Sequence, residues 1–321
     1  MLDTVSNGRL VVGLPMGHGM QYHSTGMNPA TARSRHREAH DLLVKALYEE
    51  GPFEWKGDHF HIPYVNLWPR PTRQIPMMLP GGGSVETQQL AAQRRYAYQC
   101  VLSPMAVMEK NMNRFRDFCR EEGYEPDPTQ SAAVLSIHVA ESDAIARKEV
   151  EYMEEWGYQN FFRSPFHDNF PPGYVSEASL RGMKSGYRST PMEDMTFDLL
   201  TENRWLIAGS PQTVTDQLGE VIERLGLGRV IMALTTGIKP QWMIDKVLTL
   251  FSEEVLPHFR PNGQPLVTEA DRTGYSNRLE YVSKRRPDRE VPTMRRGDHL
   301  YDATKAGLEG VDAVVGIRPR Q

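Results

Sequence analysis

Residues 75–87 read IPMMLPGGGSVET. Residues 75–80 are a short apolar run of a length that suits a buried strand. Three glycines follow, then Ser84, a good N-cap, and a helical stretch over about residues 84–94. Strand, glycine loop and helix in that order form the repeating unit of a parallel α/β sheet. The glycines let backbone approach a ligand closely. Ser84 and Thr87 add hydroxyls at a helix N-terminus, where free N–H groups and the helix dipole favour a phosphate. A plain strand-to-helix turn capped by Ser84 explains the same letters. The stretch lacks the Gly-Lys-Ser/Thr of a P-loop, the G-x-G-x-x-G of a dinucleotide fold and the G-x-S-x-G of a hydrolase elbow.

The same rhythm extends both ways. Residues 96–102 (YAYQCVL) and 132–140 (AAVLSIHVA) read as the next strands. Between them lies a helix with Met108, Met112, Phe115 and Cys119 on one face, and a helix over about 142–156 follows. Ser210 and Pro211 open a further helix whose apolar face is Val214, Leu218, Val221, Ile222 and Leu225, and Gly226 stops it. Residues 229–235 (RVIMALT) are a strand, and the last helix spans about 241–255, ended by Pro257. Upstream, residues 9–14 (RLVVGL) are a strand that runs into GLPMGHG at 13–19, and Asn28-Pro29 opens a helix reaching about residue 50. Its expected apolar face is Ala39, Leu42, Leu43, Ala46 and Leu47. Residues 51–74, rich in proline and aromatics, read as an excursion with a small hairpin. Five strands alternating with helices predict an α/β fold built on a parallel sheet or barrel.

Residues 157–205 break the rhythm, which marks an insertion over one end of the core and a candidate lid. Residues 261–321 are polar and charged, with no core pattern, and read as a tail. The RGD at 296–298 carries no weight. The chain has 321 residues, 39% hydrophobic and 24% charged, with a formal net charge of −4. That balance gives no electrostatic reason to expect nucleic acid. No apolar run reaches the roughly 18 residues of a membrane span, and the amino terminus lacks the basic and apolar regions of a signal peptide. The two cysteines, Cys100 and Cys119, suit a reducing cytoplasm. His36 and His40, and likewise His59 and His61, have spacings open to metal binding. No third ligand accompanies either pair, so solvated faces are expected and no metal is assigned.

Taken in order, the stretches LDTVSNGRLVVGLPMG, NPATARSRHREAHDLL, PFEWKGDHFHIPYVNLWPRPTRQIPMMLPGGGSVET, GSPQTVTDQLGEVIERLG and LFSEEVLPHF resemble the bacterial luciferase-like flavin monooxygenase family. The resemblance covers about residues 2–259. It implies a (β/α)8 TIM-type barrel over residues 1–260. It further implies that five of the eight strands lie in this sequence and that the first three βα units, roughly 90 residues at about 30 per unit, are absent before Met1. The implied chemistry is a two-component monooxygenase, in which reduced FMN from a separate flavin reductase, together with O2, oxygenates a small organic substrate. A deazaflavin-dependent dehydrogenase or reductase is the alternative, and an inactive fragment or non-catalytic flavin-binding protein is the alternative of another class. The flavin phosphate is expected on Gly82, Gly83, Ser84 and Thr87. Met16 and Gly17 are expected beside the flavin, and His18 is the one candidate catalytic side chain. Several members carry an arginine where this chain has Met16. Members often pair, so a homodimer is a further expectation.

Overall fold

The computed structural model describes residues 1–6, 8–71, 74–161, 165–186, 194–234 and 237–260. In chain order the strands are β1 (Val12–Gly13), β2 (Phe53–Lys56), β3 (His61–Val65), β4 (Met77–Gly81), β5 (Ala97–Val101), β6 (Ser131–Val139), β7 (Leu206–Gly209) and β8 (Arg229–Ala233). All five expected sheet strands form. A sixth, β7, joins them from the seam between the expected insertion and the GSPQTV helix. At four residues it was too short to separate from its surroundings by pattern. The expected tail, with its RGD, and the end of the last strand at Thr235 lie outside the described residues.

The strands β1, β4, β5, β6, β7 and β8 make one parallel sheet. The long strand β6 organises it. Ala132, Ala133 and Val134 pair with both β5 and β8, so those two lie on opposite edges. Ser136 pairs with both β7 and β8, which puts β7 end to end with β5 on the same edge. The excursion is a small antiparallel hairpin, β2 with β3. It is tied down by Glu38, whose carboxylate accepts from the Trp55 indole at 3.0 Å and from the His59 and Phe60 backbone at 2.8 and 2.9 Å.

Short helices α1 (Leu2–Val5) and α2 (Gly19–Ser24) precede the long α3 (Ala32–Tyr48), which a 3-10 turn capped by Asn28 leads in. Then come α4 (Val85–Arg94), α5 (Met105–Glu121) and α6 (Asp143–Trp156). The expected insertion holds α7 (Phe166–Asn169), α8 (Glu177–Gly186) and α9 (Phe197–Glu202). The last helices are α10 (Pro211–Leu225), α11 (Gln241–Leu250) and α12 (Leu256–Phe259). Local chemistry sets most of the ends. Ser142 and Ser210 accept from the backbone N–H three residues on, and Gly226 closes α10 at φ 58°. Pro257 does not end the final helix as expected. A π-turn at Phe251–Val255 intervenes, and the proline sits in the first turn of α12, where its missing N–H costs nothing.

Alternate strand residues point to opposite faces. Met77, Leu79, Tyr98, Cys100, Ala133, Leu135, Ile137 and Val139 pack outward against Met108, Met112 and Phe115 of α5 and Val214, Leu218 and Val221 of α10. The other face carries a small layer of Val11, Met78, Ala97 and Ala132, one residue from each of four neighbouring chain segments. Each large apolar side chain buried in the outer layer contributes about 1.5–3 kcal/mol. On α3 the most buried positions are Ala32, His40 and Val44 rather than the leucine stripe. His40 is tolerated there because both ring nitrogens are satisfied. Nδ1–H donates to Asp41 at 2.9 Å, and Nε2 accepts from the Tyr96 hydroxyl at 2.8 Å. His36, His59 and His61 turn to other partners, the Leu14 carbonyl, Ser34 and Glu54 respectively. Among the described residues no helix is long and apolar enough to cross a membrane.

A polar knot sits beside the carboxy end of β6. His138 is fully buried, and its Nε2–H donates to Glu149 at 2.9 Å. Glu149 also pairs with Lys246, which reaches Glu141 at 2.9 Å. Lys239 lies 2.7 Å from Glu154, off the hydrogen-bonding direction. Burial pushes the His138 imidazole down to about 4. Lys239 and Lys246 add to that, against the opposing pull of Glu149. Between the ordinary histidine value of 6.5 and about 4, the unfolded chain therefore takes up a proton that the folded chain does not. Stability should fall as pH drops through that window, and His138→Gln should flatten the fall. Urea midpoints at several pH values for both proteins check this, and parallel curves would refute it.

Candidate functional site

Strand β4 ends in Gly81, Gly82 and Gly83, and α4 begins at once. Ser84 caps it, with φ −64° and ψ 127°, and accepts from the Thr87 N–H. Gly83 has φ 111°, a left-handed conformation that glycine adopts without strain. Its α-carbon lies against Asn111 of α5, so that a β-carbon there would come within 3.0 Å of the amide. Gly82 differs: a β-carbon on it would meet no atom within 4 Å. The loop is clamped from behind by Arg114, which donates to the Gly83 carbonyl, to Gln88 and, at 3.2 Å, to the Asn111 side-chain oxygen. The Asn111 Nδ2 is buried and has no acceptor, and the residue is only 4% exposed.

A cleft opens between the first turns of α4 and α3. Leu14 and Pro80 line it from the strand ends, Thr87 and Leu90 from α4, and Arg33, His36 and Arg37 from α3. Arg33 donates to the Ser84 hydroxyl oxygen at 2.8 Å and stands 3.2 Å from the Glu86 carboxylate, while its Nε is buried without a partner. Arg37 lines the same cleft. His36 donates to the Leu14 carbonyl at 3.0 Å. Burial holds its imidazole below the ordinary value, outweighing that bond, and His40, Arg33 and Arg37 push the same way.

Glu86 sits in the first turn of α4. Its Oε2 accepts from Ser84 at 2.8 Å and from Ser179 at 2.7 Å. Burial raises its carboxyl, but bonds from Ser176, Ser179, its own backbone and Ser84 prevail and bring it to about 2.

The loop at 14–19 faces this site from the other side. Met16 lines the cleft and packs with Tyr22, Ala32 and Tyr174. Tyr22 donates to the Met16 carbonyl at 2.8 Å, and Tyr174 donates to the Gly17 carbonyl. A β-carbon on Gly19 would fall 2.1 Å from Pro171, so the segment carrying α7 lies directly on this loop. His18 is exposed at the start of α2, with its backbone N–H on Gln21 at 2.7 Å.

Of the expected residues, Thr87 and Met16 line the cleft, Ser84 stands beside it through its bond from Arg33, and Gly17, His18, Gly82 and Gly83 are not part of its lining. Sequence reasoning missed Arg33, Arg37, Glu86, Asn111, Arg114 and Ser179. The first two stood in the run RSRHRE, where only the histidines drew attention. Arginines four apart beside a helix N-terminus are a recognisable anion signal once the two helices are known to be neighbours. Ser179 had no signal at all.

The profile of the luciferase-like monooxygenases matches residues 1–229. The 2,5-diketocamphane 1,2-monooxygenase 2 of Pseudomonas putida is 24% identical, over 81% of this chain and 74% of that protein. The F420-dependent glucose-6-phosphate dehydrogenase of Amycolatopsis mediterranei is 20% identical, over 82% and 73%. Among solved structures, the oxygenating constituent of 3,6-diketocamphane monooxygenase from Pseudomonas putida, a type II Baeyer-Villiger monooxygenase in complex with FMN, superposes with a TM-score of 0.59. Its identity is 20%, over 80% of this chain and 72% of that one. With a family profile that spans most of its length and a parallel α/β sheet to match, this chain belongs to the luciferase-like monooxygenase family.

Proposed function

We propose that the chain is a flavin-dependent oxidoreductase that holds the phosphate of reduced FMN in the cleft between α3 and α4. The finer reading is a two-component monooxygenase, with a separate flavin reductase, O2 and a small organic substrate. One observation carries it. At the amino end of α4, Thr87 and the guanidinium groups of Arg33 and Arg37 line one cleft, Arg33 also reaches the Ser84 cap, and the backbone of Gly82 two residues before that cap is open. The residues fit a phosphate ester on their own chemistry. Thr87 offers a hydroxyl, Ser84 offers one that Glu86 accepts here, the first-turn N–H groups add the helix dipole, and the buried Arg33 Nε has no acceptor within the protein. The charge that family members gain from an arginine at the Met16 position is supplied here by α3.

When bound, the flavin supplies the redox chemistry. The chain's own residues orient it and exclude water. Tyr174 and Phe170 of the insertion pack beside Met16 and cover the loop at 14–19, the arrangement expected of a lid. Its membership of this family and the FMN named in the diketocamphane monooxygenase structure support the oxygenase reading. The similarity to an F420-dependent dehydrogenase supports a deazaflavin alternative, in which hydride moves and O2 is not consumed. Titration with FMN and with the deazaflavin separates the two. Tight FMN binding with no O2 uptake in the presence of a reductase would instead indicate a non-catalytic flavin-binding protein.

Gly83 is a poor test position, since its φ of 111° and its contact with Asn111 make any side chain a folding defect. Gly82→Ala is the clean variant. It should leave the Tm unchanged because the added methyl meets empty space. It should weaken FMN about tenfold by obstructing backbone approach, on the order of one charge-assisted hydrogen bond. Equal FMN affinity by fluorescence titration would show that the phosphate lies elsewhere. Arg37→Met should likewise weaken FMN severalfold and reduce the salt dependence of its dissociation constant, while leaving riboflavin binding unchanged. An unaltered salt slope would remove Arg37 from the site.

A further inference from the structure

The donors best placed for a phosphate at α4 are already engaged by the protein itself. Oε2 of Glu86 takes the Ser84 hydroxyl at 2.8 Å and lies 3.2 Å from Arg33. It takes Ser179 as well, at 2.7 Å, from a helix of the insertion. A carboxylate in the first turn of a helix partly neutralises its positive end. Glu86 stays ionised across any working pH, because hydrogen bonds hold its carboxyl down to about 2 against the effect of burial.

One carboxylate does not satisfy the site. Three groups crowd on the Glu86 Oε2: the hydroxyls of Ser84 and Ser179 and the Arg33 guanidinium. Arg33 keeps a buried Nε without a partner. A carboxylate held by its Oε2 leaves that Nε unmet, whereas a phosphate monoester brings three terminal oxygens and close to two charges. Glu86 therefore occupies donors that a stronger anion would take, and a dianion on the same donors would repel it.

We propose that Glu86 is a resident competitor for the phosphate position: it yields Ser84 and Arg33 to a phosphate monoester dianion, and its departure releases the Ser176–Ser179 turn that anchors the insertion to α4. The inference rests on the reading that the flavin phosphate sits at α4. It makes Glu86 the residue that sets how strongly the site prefers a phosphorylated flavin over an uncharged one. It also makes phosphate entry and release of the insertion a single exchange of hydrogen bonds. Ser179 touches Glu86 and is no part of the proposed phosphate shell, so it acts only through its hold on that carboxylate.

The experiment is a fluorescence titration of FMN and of riboflavin against the full chain, Glu86→Gln and Ser179→Ala. Glu86→Gln should tighten FMN by about tenfold, the size of a removed charge repulsion at a hydrogen-bonded site, and leave riboflavin unchanged. Ser179→Ala should tighten FMN by a smaller factor, about threefold, although it deletes a hydrogen bond from the protein. Hydrogen exchange supplies a readout independent of affinity. Peptides covering residues 176–181 should exchange faster in ligand-free Glu86→Gln than in the parent, and faster in the parent with FMN than with riboflavin. If FMN outbinds riboflavin in the parent but neither variant tightens it, the competitor idea is wrong while the phosphate site stands. Equal binding of FMN and riboflavin by parent and variants alike would overturn both. Should Glu86→Gln fail to fold, the Ser179→Ala titration decides alone.

Discussion

Roughly the first four N–H groups of any α-helix have no partner inside it, and much of this protein is arranged around those of α4. The helix must start immediately after β4, so its first turn lies at the carboxy edge of a parallel sheet, where backbone from several strands ends together. Three other elements hold that turn. Asn111 and Arg114 of α5 fix the glycine loop from behind, Arg33 of α3 reaches the cap from the side, and Ser179 of α8 reaches Glu86 from the insertion. Held from three sides, the turn keeps its cap and its glycine loop in one geometry.

The same helix α5 joins stability to the site. Met108, Met112 and Phe115 form its core stripe against the sheet, and Asn111 lies within that stripe. A buried amide among methionines carries a desolvation cost that an apolar residue would not. Here the amide oxygen accepts from Arg114, while Nδ2 is buried without an acceptor. Partly unsatisfied polar groups of this kind are uncommon in protein interiors, and they concentrate where a ligand or a change of state completes them.

The segment between α6 and β7 is two things at once. Its later part, with Met195, Phe197, Leu200 and Trp205, joins Val150 of α6 and Leu206 and Ala208 of β7 in a second apolar cluster. Its earlier part, with Phe170 and Tyr174, packs on Met16 and Tyr22, and its serines reach Glu86. One half is therefore built into the core beside the sheet. The other half touches the loops at the strand ends, the face on which parallel barrels carry their chemistry.

The sequence by itself determined the α/β alternation, five of the sheet strands, the core faces of α5 and α10, and the capped glycine loop at Gly82, Gly83, Ser84 and Thr87. All of these follow from local rules: period, cap chemistry and the conformational freedom of glycine. The family resemblance likewise needed only the order of short motifs. Tertiary structure alone decided that β7 would share an edge with β5, because a four-residue strand is recruited by its partner rather than by its own pattern. It alone placed His40 in the core, because a buried imidazole is tolerable only once Tyr96, 56 residues away, supplies the second hydrogen bond. It alone brought Arg33, Arg37, Asn111, Arg114 and Ser179 around α4. Electrostatic and hydrogen-bonding partners are chosen by distance in space, and nothing in the spacing along the chain records that α3, α5 and α8 all pass beside the same helix turn.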